Sequence, residues 1–88
     1  MPRYLIERNF AEQVGLTKDG AEGIKRINDE EGVSWIFSFL SADKRKTYCL
    51  YEARSGDAIR EAARLAGLPA DIVIELGAEL RPELLVGR

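Results

Sequence analysis

The segment VSWIFSFLSADKRKTYCLYEA, residues 33–53, decides the fold. Successive side chains of a strand point to opposite faces of the sheet. One face of the first half of the segment would therefore carry Val33, Trp35, Phe37 and Phe39. A short polar turn at residues 41–44 then leads to a second strand, with Thr47, Cys49 and Tyr51 on one face and Tyr48 and Leu50 on the other. The pattern predicts a β-hairpin in which both faces need to be covered.

The segments on either side of the hairpin predict two helices and two further strands. Thr17 and Ser55 are suitable N-cap residues, and Gly32 and Gly67 are suitable helix ends. In chain order, the predicted elements are a strand over residues 3–8, a helix over 18–31, the two hairpin strands, a helix between Ser55 and Gly67, and a strand over 71–80.

This βαββαβ order is typical of the ferredoxin-like α+β fold, a four-stranded antiparallel sheet with two helices on one face. Right-handed crossovers place both helices together, so the other face of the sheet stays open. We expect that open face to form a homodimer, with two sheets packed about a two-fold axis. We assign residues 1–80 to the domain and 81–88 to a C-terminal tail, which we expect to pack on a sheet edge or a neighbouring subunit.

Length and composition restrict the possible functions. The chain has 88 residues and a net charge of -2, so we expect one domain without a nucleic-acid-binding surface or a polybasic membrane patch. No apolar run reaches the roughly 20 residues of a membrane span, and we expect no signal peptide before the first strand. The lone Cys49 agrees with a reducing compartment, so we predict a cytoplasmic protein.

The absence of histidine excludes Ser-His-Asp and Cys-His catalysis within one chain. The weak candidates for ligand binding are Glu7, Trp35, Cys49 and Tyr51. Aromatic residues with polar tips are common in ligand sites, but Trp35 and Tyr51 also suit core or dimer packing. Cys49 could be a metal ligand or a reactive thiol, but a free cysteine in a strand is more often a small buried hydrophobe. Glu7 on a central strand could be a pocket acid or metal ligand, or could form an ion pair with Arg3, Arg45 or Lys46.

The chain resembles a small bacterial family of unknown function whose characterised representative is described as a nickel-binding protein of ferredoxin-like fold. The resemblance covers nearly the whole domain and leaves out only the tail. It rests on the segments MPRYLIER (1–8), GVSW (32–35), SFLSADKRKTYCLYEA (38–53), AIREAA (58–63) and AGLP (66–69). It implies sheet-to-sheet dimers and nickel as a possible ion. Nickel favours imidazole ligands, which this chain lacks, so no metal site is assigned.

Two classes of function remain open at this point. The first is a homodimeric module that binds a small ligand or a nickel-type metal ion. The alternative is a cofactor-free enzyme of the dimeric α+β barrel type, which would act on a small organic substrate in a cavity between sheet and helices. We predict no catalytic residue for the first, whereas the second would use Glu7, Trp35, Cys49 and Tyr51.

Overall fold

The protein was analysed as a computed structural model, which describes residues 1–85. The predicted elements are present with small changes at their ends. They are β1 (Arg3–Asn9), α1 (Lys18–Glu31), β2 (Ser34–Leu40), β3 (Lys46–Glu52), α2 (Gly56–Ala66) and β4 (Ile72–Leu76). The structure adds a short α3 (Pro82–Leu85), which lies in the segment predicted as a tail.

Local sequence explains where the two main helices begin and end. The hydroxyl of Thr17 accepts a hydrogen bond from the Gly20 amide at 3.0 Å, and that of Ser55 accepts one from the Ala58 amide. Both helices end at a glycine with positive φ, 69° at Gly32 and 70° at Gly67, a conformation that other residues seldom adopt. The predicted helix boundaries are therefore confirmed.

The four strands form one antiparallel sheet in the order β2-β3-β1-β4. Both helices cover one face, which we call the helix face, and the ferredoxin-like α+β fold is confirmed. On β1, Ile6 lies opposite Cys49 of β3 and Val73 of β4 on the helix face. The neighbouring residue Leu5 lies opposite Leu50, and both side chains point to the other face of the sheet.

The second face, which we call the open face, is apolar and uncovered by any described element. Phe39 is 67% exposed and Phe37 is 48% exposed, and their rings meet edge to face with centroids 5.5 Å apart. The register places on this face the apolar and aromatic residues Leu5, Phe37, Phe39, Tyr48, Leu50, Ile72, Ile74 and Leu76, and the polar residues Arg3, Glu7, Asn9, Ser34, Lys46 and Glu52.

A β-bulge in β2 corrects the prediction that Trp35, Phe37 and Phe39 share one face. Trp35 lies opposite Tyr51, but Phe37 lies opposite Leu50, so Ile36 is an extra residue between the two pairs. After the bulge, the side-chain alternation is reversed. Trp35 therefore stays on the helix face, while Phe37 and Phe39 lie on the open face.

The core lies between the helix face and the helices. Ile6, Val33 and Ile59 are the largest fully buried side chains, and alanines of α2 allow that helix to approach the sheet closely. None of the helices within residues 1–85 combines the length and the apolar character that a membrane-spanning segment needs.

The end of the chain differs from the prediction. The last strand stops at Leu76 instead of Leu80, at the residue before Gly77. The leucines that follow are exposed: Leu80 at 74%, Leu84 at 51% and Leu85 at 66%. As far as residue 85, the apolar side chains of the tail are therefore not buried against the sheet of the same chain. Residues 86–88 of the predicted tail lie outside the described residues.

Candidate functional site

A cavity of about 410 Å³ lies on the helix face, and we call it the Arg8 cavity. Strand side chains provide its polar part, and a loop and α1 provide much of its apolar part. The polar lining residues are Arg8, Ser38, Thr47, Cys49 and Tyr51. The remaining lining residues are Phe10, Val14, Leu16, Ile24, Trp35, Leu40 and Leu68.

Strand register explains why the polar residues meet. Arg8 lies opposite Thr47, and Cys49 lies opposite Ser38, so these four side chains share the helix face across three strands. In a chain that contains Ile36, the β-bulge at this residue is a condition for this arrangement. Without the reversed alternation, Ser38 would lie on the open face.

The loop between β1 and α1 forms one wall of the cavity and is fixed to the β2–β3 turn. The amide of Phe10 donates to the Arg45 carbonyl at 2.8 Å, and that of Val14 donates to the Lys44 carbonyl at 2.7 Å. Leu16 is 54% exposed and Leu40 is 47% exposed, so these two side chains mark the side of the cavity open to solvent.

Arg8 is the charged residue at the base of the cavity and is only 3% exposed. Its Nη1 donates a hydrogen bond to the carbonyl oxygen of Pro69. The guanidinium carbon lies 5.8 Å from the centre of the Tyr51 ring. Within residues 1–85, Arg8 forms no ion pair. A buried arginine without a carboxylate is unusual, because arginine is rarely buried unless it is paired.

Sequence reasoning did not select Arg8, although the sequence contains a signal for it. Tyr4 and Ile6 are the apolar residues of one face of β1, and the alternation adds Arg8 to that same face. A charged residue at the end of a buried stripe needs either a partner or a functional reason.

Tyr51 is a buried polar residue beside Arg8, and Asn28 is a second one near the Tyr51 hydroxyl, on the side of the neighbouring concavity along α1. Burial raises the pKa of the Tyr51 hydroxyl, while the Arg8 charge and the nearby Asn28 amide act in the opposite direction. The hydroxyl is therefore protonated at neutral pH. Asn28 is 4% exposed, and its Nδ2 has no partner in hydrogen-bond geometry within the described chain.

The other polar lining groups have well-defined contacts. Trp35 Nε1 donates to Ser38 Oγ at 2.8 Å, and the Cys49 thiol lies 3.6 Å from Thr47 Oγ1. Cys49 is 5% exposed and has Ile6 opposite it on β1, so it has the environment of a small core residue.

The structure brings together three of the four residues selected from the sequence. Trp35, Cys49 and Tyr51 line the Arg8 cavity, while Glu7 lies on the open face opposite Tyr48. The expected ion pair of Glu7 is absent from residues 1–85, where Arg3 pairs instead with Glu52 at 3.3 Å. The reason is geometric, since Glu52 lies directly opposite Arg3 on β3.

A second concavity of similar volume, about 420 Å³, runs along α1 and the start of β2. Its lining includes buried Asn28 and Val33, but its charged residues are exposed, and Lys25 and Asp29 among them form an ion pair at 2.9 Å. Exposed pairs of this kind are common on helix surfaces and contribute little. The Arg8 cavity is therefore the better candidate.

The described residues do not fit a nickel ion. No group of three or more His, Cys, Asp and Glu side chains comes together within residues 1–85. The chain has no histidine, and Cys49 and Glu7 lie on opposite faces of the sheet, so they cannot chelate one ion together.

Two comparisons place this structure among known proteins, and the chain matches no curated protein. The crystal structure of SCO4226 from Streptomyces coelicolor A3(2) superposes with a TM-score of 0.68 at 20% sequence identity, and the match covers 89% of this chain and 99% of that one. At this identity, the superposition shows a shared fold. A sequence profile described as nickel responsive protein SCO4226-like matches residues 4–76, which is most of the chain. The chain therefore belongs to the SCO4226-like family.

Proposed function

We propose that this protein is a homodimeric binding module that holds a small molecule in the Arg8 cavity of each protomer. The observation that carries the proposal is the cavity itself, about 410 Å³ with an apolar wall and a few convergent polar groups. Small-molecule sites generally have this form, with volumes of roughly 300–1,000 Å³.

The open face supports the dimer. Phe37 and Phe39 extend into solvent from an apolar sheet, and large apolar patches on soluble proteins are usually interaction sites. The partner we propose is a second copy of this chain. Two such sheets can pack face to face about 10 Å apart around a two-fold axis, so each covers the other.

The C-terminal segment favours a second copy over an unrelated partner. Residues 77–85 follow the edge strand β4, and their leucines are exposed. The same chain thus carries both an uncovered apolar face and an uncovered apolar segment beside it. A two-fold dimer allows the segment of each protomer to cover apolar surface of the other.

Light scattering coupled to size exclusion tests the dimer. We expect a mass twice the 9.8 kDa of one chain at micromolar concentration. Phe39→Glu would place a charge in the interface and should give monomers. Leu65→Glu is the matched control, because Leu65 is 46% exposed on α2, away from the open face. A monomeric wild-type protein would contradict the dimer.

Fluorescence tests the cavity as a ligand site. Trp35 is the single tryptophan of the chain and lines the cavity, so a bound molecule should change its emission. We expect a thermal-shift screen of small organic molecules to give stabilising compounds that also change the Trp35 signal. If every stabilising compound leaves the Trp35 emission unchanged, binding occurs elsewhere and the cavity proposal is wrong.

Nickel is the second candidate ligand, because the family description names it. Residues 1–85 do not favour nickel, because they bring together no group of three or more His, Cys, Asp and Glu side chains. We therefore expect a calorimetric titration with nickel, compared with magnesium and zinc, to show no saturable heat at sub-millimolar concentration. A saturable and nickel-specific isotherm would restore the metal ion as the ligand.

The geometry favours binding over catalysis. Glu7, the acid of the enzyme alternative, lies on the opposite face of the sheet from Trp35, Cys49 and Tyr51. The raised pKa of Tyr51 keeps its hydroxyl protonated, so it is a poor general base at neutral pH. We also propose the cytoplasm as the location, since buried, unpaired Cys49 suits a reducing compartment.

A further inference from the structure

We infer that the Arg8 cavity selects a small carboxylate with an apolar body, whose carboxylate pairs with the Arg8 guanidinium. This inference rests on the proposed function and names the ligand class of the same site. It follows from the charge of the lining, the direction of its hydrogen bonds and the distribution of its apolar groups.

The lining formed by residues 1–85 carries one charge, and that charge is positive. Among these described residues, Arg8 is the only ionisable lining residue other than Cys49 and Tyr51, and none of the lining residues is a carboxylate. A buried charge without a partner is costly, and the charge of Arg8 is permanent because its guanidinium does not lose its proton in proteins. One monoanion would balance the site, whereas a dianion such as phosphate would leave a negative charge uncompensated.

The hydrogen bonds of the lining leave donors available. Arg8 uses Nη1 for the Pro69 carbonyl and also lies beside the Tyr51 hydroxyl oxygen, but a guanidinium has five N–H donors, so others remain for a ligand. Ser38 Oγ already accepts from Trp35, so its own proton can be donated to another group. The Tyr51 hydroxyl keeps its proton for the reason given above. A carboxylate, which only accepts hydrogen bonds, complements such a set.

The apolar groups define the rest of the ligand. Phe10, Leu16, Leu40 and Leu68 belong to the apolar part of the lining, and Leu16 and Leu40 are about half exposed to solvent. A ligand that places its carboxylate on Arg8 would therefore cover these side chains with an alkyl or aromatic body. Free acetate or formate could pair with Arg8 but would leave these apolar side chains uncovered.

The test compares hexanoate and hexanamide, which share the same alkyl chain but carry an ionised carboxylate and a neutral amide, on the wild-type protein at neutral pH. Trp35 fluorescence and calorimetry would both report binding. We expect hexanoate to bind roughly tenfold or more tightly than hexanamide, as a charge-assisted pair requires. Equal affinity would overturn the carboxylate inference while leaving the cavity as a ligand site. No binding of either probe, together with an unsuccessful general screen, would overturn the proposed function as well.

Variants then assign the preference to Arg8. Arg8→Met should abolish the preference for hexanoate, and Arg8→Lys should retain part of it, because lysine keeps the charge but loses the planar donor geometry. Arg60→Met is the matched control, since Arg60 is exposed on α2. An unchanged preference in a folded Arg8→Met protein would overturn the inference. If this variant does not fold, the wild-type comparison of the two probes still decides.

Discussion

The two faces of the sheet are built from the same four strands but have different environments. On the helix face, Ile6 is 0% exposed and Tyr51 is 3% exposed, whereas Phe39 on the open face is 67% exposed. The difference arises because an 88-residue chain has enough helix to cover only one face. The covered face contains the core and the cavity, and the open face contains the surface proposed to bind a second copy.

Adjacent residues of β1 give the sharpest test of this contrast. Ile6→Ala removes a fully buried side chain, and we expect it to lower the free energy of unfolding by about 3 kcal/mol, since the lost contacts leave a cavity. Leu5→Ala changes the open face, so we expect a loss of about 1 kcal/mol or less in the monomer. Urea denaturation at several protein concentrations measures both changes.

The dependence on protein concentration distinguishes a residue of the protomer core, Ile6, from a residue of the proposed dimer interface, Leu5. The loss caused by Ile6→Ala should be the same at every protein concentration, because it arises within one protomer. The loss caused by Leu5→Ala should grow with concentration if the open face forms a dimer. Similar, concentration-independent losses for both variants would contradict the assignment of the two faces.

Deletion of Ile36 tests whether this residue is the extra one in β2, so that its removal leaves the other β2 side chains on their faces. Trp35 and Phe37 keep their partners on β3 if the extra residue is removed, and regular alternation then gives the same faces. We therefore expect a folded protein that loses about 1 kcal/mol of stability, a typical value for a single change. Urea denaturation followed by Trp35 fluorescence measures it.

The contrasting change is an insertion of one alanine after Phe37. It would move Ser38 and Leu40 to the open face and Phe39 into the cavity, so we expect a much larger loss of stability. If the deletion unfolds the protein while the insertion does not, the register described for β2 is wrong.

Much of the fold could be predicted because it depends on local signals. Thr17, Ser55, Gly32 and Gly67 have side-chain or backbone properties that determine helix ends in any context. The order of the elements then restricts the topology to few alternatives. The open face was also predictable, because strands with two apolar sides cannot all be covered by two helices.

The candidate site was predicted only in part, because it depends on contacts between distant segments. Trp35, Cys49 and Tyr51 were selected, and a cavity between sheet and helices was predicted for the enzyme alternative, but neither Arg8 nor the loop of Phe10 and Val14 was assigned to it. Ile36 looks like any other strand residue in the sequence, and its bulge follows only from pairing with β3. The position of Arg8 depends on Pro69, which is distant in the chain.

Asp43 gives the smallest expected effect and tests how the β2–β3 turn supports the cavity wall. A hydrogen bond from the Ser41 hydroxyl at 2.7 Å and one from the Arg45 amide at 3.1 Å lower the pKa of the Asp43 carboxyl. A lowered pKa in the folded protein means that the ionised group stabilises the fold above the ordinary carboxyl pKa of about 4, and that this stability is lost as the pH falls further. Asp43→Asn should therefore lower the Tm slightly at pH 7, by less than the deletion of Ile36 does.

The pH dependence of the Tm distinguishes the loss of the Asp43 charge from other effects of replacing this side chain. The difference in Tm between wild type and Asp43→Asn should shrink below pH of about 4, where the wild-type carboxyl also becomes neutral. Since the turn holds the loop of Phe10 and Val14 through the Arg45 and Lys44 carbonyls, the variant should also weaken ligand binding at the cavity more than it weakens the dimer. A Tm difference that stays constant from pH 7 to below pH of about 4 would show that the Asp43 charge does not stabilise the turn. A variant that no longer forms dimers but still binds the ligand would place the effect on the open face instead.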